Sequence, residues 1–335
     1  MTGGQVFQFW RRPLTDNEHL VKMAYRSVLR RDPEPDGLRQ YTERLNSGEL
    51  NPGTLLEDLL SSQEYLLLYQ RGGHLGLTAA ARRFLSPNIQ ALSTRLQTEL
   101  PLEPERFSEA CRFGIEQTAL LEFYNQEEYL AVHRKRFFEL DNIVANLVRD
   151  VPRARVLDVG ISINSIILSK LLPSAEIAIC DRFELKGQPF DFFDVDLTDP
   201  DLDRKTLHQE FDVIIFTEVL AHLLANPVRV FNFFLRHLRP DGHLIVTTPN
   251  FFSAANSRAL ALGENPQPIF SARLKRGQEV EHHVREYSMS ELLLFAEEAG
   301  GAPAAFFFSS CWDSPSEDTP PENRGNLCAV FKCDV

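Results

Sequence analysis

From Arg153 onward the chain alternates short apolar runs with stretches of helical period, and this alternation restricts the fold more than any other feature. Apolar runs bounded by turn residues and separated by amphipathic segments build a parallel sheet with crossover helices. They predict strands at Arg155–Val159, Glu176–Cys180, Phe190–Val195, Phe211–Phe216 and His243–Thr248. Two further runs, Ala304–Phe308 and Leu327–Phe331, flank a Pro- and Asp-rich loop and predict an antiparallel hairpin at the sheet's edge. The helix punctuation agrees. Asn226-Pro227 sets an N-cap before a proline at the first helical position. Ser288-Met289-Ser290-Glu291 spells a capping box, and Gly300 supplies a stop.

The first half reads differently. Asn17–Leu29 carries apolar residues at a helical period, and a turn of Pro, Asp and Gly follows over Arg30–Gly37. A second helix is expected from Leu38 to about Leu45. A third starts at Asn51-Pro52, again an N-cap before a proline. The segment Ile115–Val148 is dense in apolar and aromatic residues and predicts packing helices, one of them covering the cleft of the following sheet. The expected organisation is a small all-α domain over residues 1–76, a helical connector or cap over 77–150, and the α/β domain over 151–335.

The formal net charge of -12 excludes a generic nucleic-acid binder, which needs clustered Lys and Arg for phosphates. Short basic runs such as His133-Arg134-Lys135-Arg136 read as solvated helix faces. The five cysteines are odd in number and scattered, with no C-x-x-C pair. That pattern excludes a zinc cluster and a disulfide framework, and suits a reducing compartment. No apolar stretch reaches membrane-spanning length, and no signal-peptide run opens the chain. The expectation is a cytoplasmic protein with no membrane span and no bound metal.

In a doubly wound sheet, ligands bind beyond the carboxyl ends of the strands. Asp158 ends the first strand and Gly160 opens the tight turn after it, with small polar Ser162 and Asn164 at the following helix start. Asp181 ends the second strand, where an acidic residue can accept from both hydroxyls of a ribose. Asp196 beside Leu197 offers a carboxylate for an adenine amino group and an apolar face for its ring. The fourth strand places Thr217, Glu218 and His222 at the same cleft.

Taken in order, "VLDVGISIN", Asp181, Asp196-Leu197, "FDVIIFTEVLAHL" and "LRPDGHLIVTTPN" resemble the class I S-adenosyl-L-methionine-dependent methyltransferases. The resemblance implies a Rossmann-like, seven-stranded methyltransferase sheet and S-adenosyl-L-methionine as cofactor. By it the cofactor-binding residues are Asp158, Gly160, Ser162, Asn164, Asp181, Asp196, Leu197, Thr217 and Glu218. "EHHVREYSMSELLLFAEEAGG" is similar to a segment of bacterial methyltransferases that modify sugars, lipids, quinones and other small molecules. His283, Arg285, Glu286 and Tyr287 fall on its motif, and His282 replaces the usual glycine. Ser162 and Asn164 stand where glycine is common, and Ala221 where an acidic residue often precedes the histidine. At the other end, "YRSVLRRDPEPDGLRQYTERLNSGEL" and "LLSSQEYLLLY" resemble a helical repeat domain of phycobilisome-linker-like proteins and bacterial surface-carbohydrate enzymes (DUF4214-like). That resemblance implies a docking module able to hold a protein partner.

Methyl transfer to oxygen needs alignment and a base, and a histidine of ordinary pKa can serve as one at neutral pH. His222 and His283 are both candidates. Arg285 could hold an anionic group of the acceptor, or join Glu286 and Tyr287 in pinning the loop. The resemblance of the His283–Tyr287 segment implies a small-molecule or glycan acceptor. A competing reading makes the domain a degenerate methyltransferase fold that binds a partner. A nicotinamide dehydrogenase is disfavoured, because no G-x-G-x-x-G follows the first strand.

Overall fold

Burial on both faces is what makes the strands of the second half read as nearly unbroken apolar runs. In the computed structural model they are β1 (Arg155–Val159), β2 (Glu176–Asp181), β3 (Asp191–Asp194), β4 (Phe211–Thr217), β5 (Leu238–Pro249), β6 (Gly301–Ser309) and β7 (Asn326–Cys333). The structure describes residues 17–29, 31–60, 62, 87–121, 126–184, 186–267, 283–311 and 321–333. Contacts divide the chain into a unit of residues 1–79 and a unit of residues 80–335.

The seven strands form one sheet in the order β3-β2-β1-β4-β5-β7-β6. The pairs β1–β2, β1–β4, β2–β3 and β4–β5 are parallel, and β7 runs antiparallel to both β5 and β6. The expected terminal hairpin is therefore present, with its second strand turned inward against β5. β5 is longer than its apolar run, because it continues back through a kink at Asp241 (φ 64) and Gly242. A β-carbon on Gly242 would lie 2.9 Å from the carbonyl oxygens of Arg239 and Phe211, so this bend requires glycine.

The period of two along each strand separates two cores. Val156, Val213, Ile215, Ile245, Cys328 and Val330 pack beneath helices α4 (Pro87–Thr98), α6 (Gln126–Leu147) and α7 (Ile163–Leu171). Leu157, Val159, Phe216, Leu244, Val246 and Phe331 face the other way, under α8 (Pro227–Leu235) and α10 (Met289–Glu298), and the short α9 (Ala254–Ala261) follows the end of β5. Asp158 shares the parity of Val156 and so points into the layer of α6 and α7. Helix α5 (Pro104–Leu120) packs outside α6 and α7 through Phe107, Ala110 and Cys111. The punctuation acts locally as expected: Asn226 Oδ1 accepts from the Val228 N–H at 3.0 Å, and the Ser288/Glu291 capping box is complete. Among the described residues no helix is long and apolar enough to cross a membrane.

The first unit holds α1 (Asn17–Val28), α2 (Pro35–Asn46) and α3 (Pro52–Leu60) around Val21, Tyr25, Leu45, Leu50, Leu55 and Leu59. α2 starts at Pro35, earlier than its apolar period suggests, because the proline fits the first helical turn. At α3 the Asn51 side chain accepts from the Thr54 N–H (3.1 Å) while the Thr54 hydroxyl accepts from the Asn51 N–H (2.9 Å). Gly37 sits against Tyr25, whose hydroxyl would lie 2.9 Å from an added β-carbon. The motif residues Gln63–Tyr65 lie outside the described residues.

Candidate functional site

A cleft of about 960 Å³ opens beyond the carboxyl ends of β1, β2, β4 and β5, a size suited to a small-molecule site. Its floor carries Asp158, Gly160, Ser162, Asn164, Asp181, Thr217 and Glu218. Gly160 takes φ 88, and a β-carbon there would come within 3.3 Å of Val219 Cγ2. Ser162, by contrast, is extended at φ -148 and caps α7 by accepting from the Asn164 N–H at 3.1 Å. In this turn only Gly160 takes a positive φ, so serine and asparagine in place of glycine carry no backbone penalty.

The carboxylates of the floor are held in place. Asp181 Oδ2 accepts from the Ile161 N–H at 2.9 Å, tying the end of β2 to the glycine turn, and Oδ1 accepts from the Arg182 N–H at 2.6 Å. Asp158 is buried and accepts from the Ser165 hydroxyl at 2.6 Å. Burial pushes its carboxyl up to about 6, against the opposing pull of Ser165 and the Arg136 charge. Behind it lies Asp141 of α6, fully buried, whose Oδ1 accepts from Asn164 Nδ2 at 2.9 Å. Burial holds this second carboxyl well above the usual range. Asn164 Oδ1 has no hydrogen-bond partner among the described residues. Glu218, at φ 58, accepts from Thr247 Oγ1 (2.7 Å) and Asn326 Nδ2 (3.0 Å), which fixes it across the ends of β5 and β7.

The wall beyond β4 is built by two histidines. His222 closes a 3-10 turn, and its ring meets that of His283 edge to face with centroids 4.9 Å apart. The carbonyl of Ala221 accepts from the N–H groups of Val284 (2.6 Å) and Arg285 (3.2 Å), which seats the 283–286 segment over this turn. Glu286 Oε1 lies 3.4 Å from His283 Nδ1, at the long end of hydrogen-bond reach, and its Oε2 accepts from Asn256 Nδ2 at 2.6 Å. A carboxylate thus reaches the histidine pair from position 286, although residue 221 is alanine. His282 lies outside the described residues.

Three of the proposed residues stand apart from the cleft. Leu197 is buried in the core, and Asp196 is turned onto the hydroxyl and N–H of Thr198. Arg285 is exposed; its guanidinium pairs with Glu291 and lies over the Tyr287 ring at 5.3 Å, so it pins the loop before α10.

The sequence also leaves out one side of the cleft. α6 contributes Tyr129, His133, Arg136 and Phe137. The basic run from His133 to Arg136 is not uniformly solvated: Arg134 and Lys135 are exposed, while Arg136 is 5% exposed. The spacing i, i+4, i+7 of Tyr129, His133 and Arg136 on one helix face was the available signal. Burial, with the Arg136 charge, drops His133 to about 4, so it is neutral at physiological pH. Asn250, Ser253 and Asn256 complete the lining on the β5 side.

Residues 128–300, just over half of the chain, match the family model of a methyltransferase domain. Residues 7–69 match the model of a domain of unknown function, DUF4214. No curated protein matches the chain. Among solved structures, the chain is similar to the N-methyltransferase NodS from Bradyrhizobium japonicum with S-adenosyl-L-homocysteine, at 13% identity over 75% of this chain and 100% of that one, TM-score 0.38. It is similar to an S-adenosylmethionine-dependent methyltransferase from Clostridium acetobutylicum, at 10% identity over 66% and 97% of the two chains, TM-score 0.38. It is also similar to the 1,6-didemethyltoxoflavin-N1-methyltransferase from Burkholderia thailandensis, at 13% identity over 70% and 92%, TM-score 0.38.

Proposed function

The chain belongs to the methyltransferase-domain family, and from that premise we propose that it transfers the methyl group of S-adenosyl-L-methionine to an oxygen of a small-molecule or glycan acceptor. The observation that carries this reading is the convergence on one cleft of two elements. One is the Asp158-Gly160-Asp181 floor; the other is the wall of His222, His283 and Glu286.

The floor fits the cofactor. Gly160 leaves the turn as bare backbone beside Val219, where a side chain would project. Asp181, already fixed by backbone N–H groups, keeps carboxylate lone pairs for ribose hydroxyls. Asn164 Oδ1 is an acceptor awaiting a donor. Asp196 and Leu197 are not part of the proposed site.

S-adenosyl-L-methionine supplies a methyl carbon activated for in-line displacement. The protein's task is to align the acceptor and take its proton. His283 is the proposed base: Glu286 stands beside Nδ1, and Asn256 holds Glu286 in turn. A carboxylate there stabilises the imidazolium that forms when the proton arrives. His222, packed against the same ring, orients His283 and faces the acceptor. The Ser253 hydroxyl and the Asn256 side-chain oxygen, both on residues lining the cleft, suit a hydroxyl-rich acceptor.

The degenerate-module alternative drew its support from the thinned glycine motif and from Ala221. The first weakens because the turn takes positive φ only at Gly160, and the second because Glu286 brings a carboxylate to the histidine pair. Calorimetric titration with S-adenosyl-L-homocysteine, with Asp181→Ala as control, tests the cofactor. Absence of binding to the unmodified chain sinks the reading. Incubation with methyl-labelled cofactor and fractionated small molecules and oligosaccharides then tests the acceptor. Label found only on nitrogen or carbon rules out the oxygen assignment.

A further inference from the structure

The residue after β4 is held in a costly conformation. Glu218 takes φ 58, a region that glycine enters freely and glutamate does not. Glycine would make this turn without strain, so the strain sustains a carboxylate at this point. The Glu218 N–H donates to the Thr247 carbonyl at 2.9 Å, and the side chain reaches the same way. Its Oε1 accepts from Thr247 Oγ1 at 2.7 Å and from Asn326 Nδ2 at 3.0 Å. Both donor residues are buried, so two side chains from two strands serve a single oxygen. Oε2 has no hydrogen-bond partner among the described residues, and Glu218 lines the cleft.

The sheet order shows which half of the cleft this carboxylate serves. Gly160 and Asp181 stand at the ends of β1 and β2, on one side of β4. The donors to Glu218 stand on β5 and β7, the first and second strands on the other side. The carboxylate is therefore drawn away from Gly160 and Asp181, toward the half of the cleft lined by Ser253, Asn256, His283 and Glu286. In that half Glu286 is already engaged, by His283 and by Asn256. Arg285 is turned outward onto Glu291. Glu218 Oε2 is the charged acceptor left there for a ligand. A carboxylate oxygen so placed accepts from hydroxyl donors and repels anions.

We propose that Glu218 is a specificity-determining residue for the acceptor and not a cofactor ligand. Its Oε2 accepts from a hydroxyl next to the one that is methylated, which selects a neutral sugar and rejects a uronic acid or a sugar phosphate. The assignment rests on the methyl transfer proposed above and narrows its acceptor class. The two carboxylates of this half then have separate tasks. Glu286 acts through His283, which takes the proton of the reacting hydroxyl, while Glu218 holds the neighbouring hydroxyl. A hydrogen bond to a charged acceptor is stronger than one between neutral groups, and an anion in the same place would meet a fixed like charge.

Calorimetry with S-adenosyl-L-homocysteine separates an acceptor role from a cofactor role. Glu218→Gln keeps an oxygen for Thr247 and Asn326 and turns a donor into the cleft. Its affinity for S-adenosyl-L-homocysteine is expected to stay within about threefold of the unmodified protein's. A loss of about tenfold or more in the folded variant overturns the proposal, because Glu218 would then hold the cofactor. Methyl-labelled cofactor is next supplied with neutral oligosaccharides and with acidic ones carrying uronic acid or phosphate. The unmodified protein is expected to label the neutral fraction. In Glu218→Gln the KM for that fraction rises ~10- to 100-fold, the range for losing a hydrogen bond to a charged group, while kcat stays within about threefold. The variant also gains labelling of the acidic fraction. A fall in kcat at unchanged KM overturns the proposal. If the unmodified protein labels the acidic fraction as well as the neutral one, or labels neither, the proposal is overturned even if Glu218→Gln does not fold. Failure of the unmodified protein to bind S-adenosyl-L-homocysteine overturns the cofactor assignment and this inference together.

Discussion

Replacing Asp158 by asparagine is expected to stabilise the ligand-free protein at neutral pH while weakening its hold on the cofactor. Asp158 is 4% exposed, and burial raises its carboxyl from 3.8 to about 6, with Ser165 and Arg136 opposing the change without cancelling it. The folded chain therefore binds this proton more tightly than the unfolded chain does. Stability is highest below the unfolded value, falls as pH rises through the window between the two values, and stays lower above it. The difference between 3.8 and about 6 corresponds to about 3 kcal/mol. Asparagine mimics the protonated form, and its oxygen can still accept from Ser165. Urea unfolding of the ligand-free variant should show a gain of up to about 3 kcal/mol near pH 7.5 and almost none near pH 3.5. Ligand at ~100 times its Kd adds about 2.7 kcal/mol to the unmodified protein, and less to a variant that binds it weakly. A difference that does not change with pH, or a variant less stable near pH 7.5, would refute the reasoning. Arg136 would then be holding Asp158 ionised without cost.

Gly160→Ala places an ordinary side chain at φ 88 and 3.3 Å from Val219; it should cost about 1–2 kcal/mol in thermal unfolding and weaken S-adenosyl-L-homocysteine binding. Glu286→Gln should lower kcat by at least about tenfold with cofactor affinity unchanged, and His283→Ala by ~100-fold or more, read from steady-state kinetics beside calorimetry. Asn51→Ala removes the N-cap of α3 and should destabilise the first unit by about 1 kcal/mol without changing cofactor affinity.

The sheet was legible because the local pattern and the burial agree. Residues 156–159 are apolar apart from Asp158, and every strand run from the sequence lies within an observed strand or within a residue of one. The kink at Asp241-Gly242 and the inward place of β7 were not legible. Both depend on which strands become neighbours, and periodicity does not encode that. Site residues at strand ends followed from the sheet itself. Leu197 shows the limit of such reasoning: its apolar character serves the core just as well as an adenine ring, and the core claims it. Arg136 shows the opposite failure. Beside exposed Arg134 and Lys135 it reads as one more solvated charge, and only the docking of α6 over the glycine turn buries it.

Because Gly160 alone takes a positive φ in the turn after β1, the other positions of that turn are open to drift. Residue 162 needs only a side chain that caps a helix, and residue 164 only one that fits against Asp141. A search pattern spelled as evenly spaced glycines would pass over this turn. A pattern spelled as backbone shape, with one glycine and then a capping residue, would match it.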